Sequence, residues 1–174
     1  KSAEMVKHAL NAFLATSVCF GNEIGNLCDE MGIDGFQVAK ALKMEGRVGS
    51  KARILPGLGF SGGTLARDIQ TLRSLGDEKN LDTPFFDGLW KSNLWQNDLV
   101  VRKLKKVFGN LKGINISVFG LTYKPDTSTL RRSASIKIIE DLLNEAADIL
   151  SHDPRADKTE LQKYSHINFR EDPY

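Results

Sequence analysis

From Ala3 to Met31 a single helical period runs without a break. Met5, Leu10, Phe13, Leu14, Ile24 and Leu27 recur at the spacing of one helix face, no proline intervenes, and Gly32 follows as a C-terminal stop. At 1.5 Å per residue such a helix is about 40 Å long, more than a small domain needs to cover its own core. It reads as a scaffold and predicts a partner, here a second copy of the chain packed about a two-fold axis.

Helical patterning continues over the next eighty residues. A short pattern covers Gly35 to Leu42. A third helix starts near Gly63 or Thr64 and runs through Leu65, Ile69, Leu72 and Leu75. A fourth opens at Thr83-Pro84, an N-cap followed by proline at the first helical position, and carries Phe85, Phe86, Leu89, Trp90, Leu94, Val100 and Leu104 towards Gly109. Between the second and third lies MEGRVGSKARILPGLGFSGG, whose glycines permit close backbone approach. At Gly113 the character changes. INISVFGL replaces the helical period with β-branched and apolar residues and reads as a buried strand. TYKPDTSTLRRS is a loop, SASIKIIEDLLNEA an amphipathic helix and DILSHDP a second strand. A helix crossing between two strands implies a parallel sheet, with ligands bound beyond the C-terminal strand ends. The fold class is therefore mixed, with an all-α domain over 1–110 followed by an incomplete α/β unit over 111–174.

Composition removes several function classes. The net charge is +2 and the basic residues are interleaved with acidic ones, so no basic face points to a nucleic acid or a membrane surface. No apolar run approaches the roughly 20 residues of a membrane span, and KSAEMVKHAL has no secretory apolar core. Cys19 and Cys28 lie too far apart along one helix to pair, which suits free thiols in a reducing compartment. The expected location is the cytoplasm. His8, His152 and His166 are scattered without metal-ligand spacing, so no metal is expected. The chain opens without a methionine, directly in helical pattern, and is expected to be part of a longer protein.

Four stretches, in this order and spacing, resemble the UDP-glucose/GDP-mannose (nucleotide-sugar) dehydrogenase family. AEMVKHALNAFLATSVCFGNEI resembles the helix opening its central, dimer-forming domain. GFSGGTLARDIQTL resembles its catalytic segment, usually GFGGSC followed by Phe or Leu, Pro, Lys and Asp. VFGLTYKPDTSTLRRS and LSHDP resemble the start of its C-terminal nucleotide-binding domain. The resemblance covers Ser2 to about Asp157 and implies a central dimerisation domain followed by an incomplete Rossmann-like domain. It also implies NAD as cofactor, a nucleotide-sugar as substrate and a homodimer. The family's N-terminal NAD-binding domain has no counterpart in this sequence.

Each candidate residue has a bland reading beside the functional one. Lys7 and Asn11 share a helix face and can be a solvated stripe; in the family such a pair holds the sugar hydroxyl and the developing oxyanion. Thr64 and Asp68, also four apart, can serve as a helix cap and a carboxylate complementing the helix N-terminus. In the family, Thr64's position holds the cysteine whose thiolate attacks the aldehyde intermediate, and Asp68 matches an aspartate that positions a water. Threonine is a poor substitute because its hydroxyl is hardly ionised at neutral pH. The usual proline and lysine are Ala66 and Arg67, and Arg67 is assigned with Arg131 to cofactor binding. Arg47, Phe60 and Lys124 are assigned to the substrate, Arg47 by reaching across the dimer. Arg47 can equally be a solvated charge, and Arg131 and Arg132 a plain basic loop. His8 reads as an incidental helix residue, and Cys28 as a buried hydrophobe rather than a substitute nucleophile. The expectation is an NAD-dependent oxidoreductase limited to a single two-electron step. The alternatives are a homologue that binds sugar nucleotides or assembles without catalysis, and a helical interaction module without a small ligand.

Overall fold

The computed structural model describes residues 1–61 and 63–172. The first helix, α1, spans Ser2–Met31 and ends as its sequence predicts. Gly32 adopts φ 68°, and the Ile33 N–H closes on the Cys28 carbonyl at 2.8 Å, a left-handed glycine termination. The face that α1 buries is lined by small residues, among them Ala12, Ala15, Cys19 and Gly25, which lets neighbouring backbone come close. Packed on it are α2 (Gly35–Met44), α3 (Thr64–Glu78) and α4 (Pro84–Asn97). Ile69 and Leu72 of α3 and Leu89 of α4 complete the core, with Phe60, Leu65, Phe86 and Trp90 against its edge.

The chain divides into two compact units, Lys1–Asn97 and the residues from Asp98 onward. The sequence pattern instead runs the fourth helix on to Gly109 and changes domain after 110. Asp98 interrupts that helix, and α5 (Leu99–Phe108) is a separate element. Its Val101 and Leu104 pack against the second core, formed around Leu111, Leu121, Leu130, Ile136, Ile139 and Leu142. That burial is why α5 belongs to the second unit.

In the second unit β1 (Asn115–Phe119), α6 (Ala134–Asn144) and β2 (Asp148–His152) form the anticipated β-α-β unit. The strands pair in parallel, from Asn115 beside Asp148 to Phe119 beside His152. β1 is not the fully buried strand that its sequence suggests. Ile116 and Val118 face the core, while Asn115, Ser117 and Phe119 are exposed. The described chain covers only one face of the strand. Beyond β2 come a short α7 (Lys158–Leu161), a 3-10 turn at Gln162–Tyr164 and a bridge between Ser151 and Phe169.

Candidate active site

The glycine-rich loop before α3 has no ladder of its own, so its backbone polar groups need side-chain partners. Three buried amides supply them. Asn22 accepts from the Gly57 N–H at 2.8 Å and donates to the Leu58 carbonyl at 3.3 Å. Gln96 donates to the Gly57 carbonyl at 2.6 Å while accepting from Asn26 at 2.8 Å. Asn93 accepts from the Phe60 N–H at 2.8 Å and donates to the Phe60 carbonyl at 2.9 Å, so one amide pairs with both backbone groups of a residue. Gly59 lies so close that a Cβ there would stand 2.9 Å from the Asn93 side-chain oxygen. Phe60 is thus fixed as a wedge against the first core, just ahead of Thr64.

α3 begins at Thr64. Gly63 is its N-cap and no side chain caps it, so Thr64 does not serve as the cap that its sequence position allowed. Thr64 is exposed, and so is Arg67. Asp68, one turn on, has its side chain fully buried and faces α1 rather than the end of its own helix. There it accepts a short hydrogen bond from the Asn11 amide. His8 Nδ1 lies 3.4 Å from Asp68 Oδ1, and Arg67 Nε lies 3.5 Å from the same oxygen. Burial alone would raise the Asp68 carboxyl. The Asn11 donor, the Lys7 ammonium, the nearby His8 and the Arg67 guanidinium outweigh it, and the group is held below the usual carboxylate range. Asp68 thus takes a hydrogen bond from Asn11 and feels the charge of Lys7. The combination of a buried carboxylate, an amide and an exposed ammonium can bind a sugar hydroxyl and stabilise a developing alkoxide. Arg47 is not part of this group. Its side chain is 89% exposed and forks onto Glu45, with contacts of 3.0 and 3.2 Å.

In the second unit, Lys124 and Arg131 sit exposed on the loop following β1, at the C-terminal end of the sheet. Two carboxylates shape that loop. Asp153, just past β2, accepts from the N–H groups of Leu121 (2.7 Å), Thr122 (3.0 Å) and Arg155 (2.8 Å). Burial raises its carboxyl, but these three donors lower it further than burial lifts it. Glu160 accepts from the Leu130 N–H at 2.6 Å and from Thr129 Oγ1 at 3.1 Å. The basic side chains are consequently presented on a fixed backbone.

Residues 1–94 match the central domain of the UDP-glucose/GDP-mannose dehydrogenase family. The chain belongs to that family. Residues 117–174 match its UDP-binding domain. The UDP-glucose 6-dehydrogenase TuaD of Bacillus subtilis is 35% identical over 90% of this chain and 34% of its own length. UDP-glucose 6-dehydrogenase of Rickettsia bellii is 36% identical over 88% and 35%. A solved UDP-glucose dehydrogenase from Pyrobaculum islandicum, 29% identical, superposes with a TM-score of 0.88 over 99% of this chain and 40% of its own. The chain spans about a third of the length of the curated relatives it matches.

Cys19 and Cys28 are buried in α1. Burial pushes the Cys19 thiol up to about 11, beyond what the Ser92 hydrogen bond can offset, so it stays protonated at neutral pH. His8, which in the sequence reads as an incidental helix residue, is spaced three from Asn11, and both lie on the face that meets Asp68. Sequence reasoning passed over the buried amides Asn22, Asn93 and Gln96, for which no local signal exists. Among the described residues no group of three or more His, Cys, Asp or Glu side chains is placed to hold a metal, and no helix is long and apolar enough to cross a membrane.

Proposed function

We propose that the complete protein oxidises a nucleotide-activated sugar with NAD as the acceptor, and that Thr64 confines the main chemistry to one two-electron step. The observation supporting this reading is Asp68, a fully buried carboxylate kept ionised against Asn11 and near Lys7 at the mouth of the glycine loop. Burying a charge is costly unless it is paired, and here the partners are groups that suit alkoxide chemistry. Lys7 stabilises the oxygen that becomes an alkoxide, Asn11 orients it, and Phe60 and the clamped loop fix the edge of the substrate site. Lys124 offers its ammonium to the anionic part of the nucleotide-sugar.

Arg67 in the first unit carries exposed guanidinium donors that suit an anionic group of the cofactor, and so, separately, does Arg131 in the second. When bound, that cofactor supplies the hydride acceptor. A second oxidation would need a tetrahedral adduct of the aldehyde. A thiolate forms one readily, whereas a neutral hydroxyl does not, and only a hydrated aldehyde offers a slow route to the acid.

Dimerisation is supported by α1 itself. Val6, Leu10, Phe13, Phe20, Leu27 and Met31 are separated by four, three, seven, seven and four positions, a heptad-type seam, and stand 49–69% exposed. We propose that this seam packs on its copy in a two-fold dimer.

The test is stoichiometric. The complete protein, given NAD and a panel of UDP- and GDP-sugars, should form about one NADH per sugar, with a carbonyl trappable by hydroxylamine, and Thr64→Cys should move the ratio towards two. No turnover by folded protein across the panel would instead favour a binding or assembly role. Two NADH per sugar from the wild type, without trappable carbonyl, would refute the single-step reading.

A further inference from the structure

The Asp68 carboxylate is ionised, but its side chain is fully buried. A general base must come within about 2.6–3.2 Å of the proton it takes, directly or through one water. The accessible neighbour is His8, whose side chain is 22% exposed. Its Nδ1 is buried, makes no hydrogen bond within normal limits, and lies 3.4 Å from Asp68 Oδ1. An imidazole with one nitrogen against a buried carboxylate places its proton on that nitrogen and leaves the other as an acceptor.

We propose that His8 is the proton acceptor for the substrate hydroxyl, with Asp68 fixing its tautomer and orientation. This rests on the dehydrogenase function proposed above. In the step, the O–H bond breaks and its proton goes to His8 Nε2, while the C–H pair leaves as hydride to a nicotinamide cofactor. The carbon is oxidised to a carbonyl and the nicotinamide is reduced. The charged group against the imidazole is Asp68 from α3, and that carboxylate also meets Arg67 from α3 and the charge of Lys7 from α1. α2 and α4 also pack on α1, but among the described residues neither is paired with His8. Asp68 is the carboxylate that lies against the imidazolium that forms.

Two measurements test the proposal, one of them without cofactor. In this chain, long-range proton–nitrogen spectra should show neutral His8 protonated at Nδ1 and bare at Nε2, and Asp68→Asn should abolish that preference. His8→Asn identifies the signals against those of His152 and His166. In the complete protein, His8→Asn keeps an amide donor near the position of Nδ1, so a merely structural role would survive. The proposal expects kcat/KM to fall by about 10²–10⁴-fold and the acid limb of the pH profile to vanish, with thermal unfolding little changed. Wild-type turnover with an unaffected His8→Asn variant, or a neutral His8 protonated at Nε2, would overturn the proposal while leaving the dehydrogenase function standing. Absence of turnover by the wild type would overturn both.

Discussion

Asn93 is 1% exposed, and its amide pairs with both the Phe60 N–H and the Phe60 carbonyl. Asn93→Ala removes both bonds. Each contributes about 1 kcal/mol net, and a part-buried group left without a partner costs about a further 1–3 kcal/mol. Water can reach one side of the loop, so the expected loss is about 3 kcal/mol. At a urea dependence of about 1.5 kcal/mol/M this is a midpoint shift of about 2 M. The assay is favourable because both tryptophans, Trp90 and Trp95, lie on α4 and report the first unit alone. Asn93→Asp is the sharper variant. It keeps an acceptor for the Phe60 N–H but sets a carboxylate against the Phe60 carbonyl, so it should be at least as damaging as alanine near neutral pH. A midpoint shift below about 0.5 M for Asn93→Ala, or an aspartate variant more stable than the alanine one, would refute the clamp.

Three further outcomes are expected. Leu10→Glu with Phe13→Glu should halve the mass seen by light scattering at micromolar protein, and a wild type already monomeric there would remove the two-fold seam. Cys19, its thiol raised to about 11, should resist iodoacetamide at neutral pH until urea unfolds the first unit; rapid labelling of native protein would contradict its burial. The Asp68 carboxyl titrates below its unfolded value of about 3.9, so its stabilisation is present above that pH and lost as pH falls through the lower folded value. Urea midpoints of wild type and Asp68→Asn should therefore differ at neutral pH and converge in acid, and a constant gap down to pH 2 would exclude an ionised native carboxylate.

How far the sequence reveals this arrangement depends on whether the deciding interaction is local. The end of α1 is legible because Gly32 settles it with its own backbone. The parallel β-α-β unit is legible because two apolar runs with an amphipathic helix between them leave few alternatives. The break at Asp98 is different. Val100 and Leu104 continue the period of the preceding helix, and the period says nothing about which core Val101 and Leu104 will enter. Asp68 poses the same problem at the site. Its spacing from Thr64 fits a carboxylate serving its own helix end as well as one facing elsewhere, and the choice is made by Asn11, 57 positions away. Asn22, Asn93 and Gln96 carry side chains that usually meet water. They are buried because Gly57, Leu58 and Phe60 arrive with backbone groups that no ladder satisfies. A buried amide and an irregular loop thus explain each other, and neither can be read without the other's position. The same dependence makes His8 a candidate base: beside Asn11 on a bare helix it is an ordinary polar residue, and the carboxylate that gives it a tautomer belongs to α3.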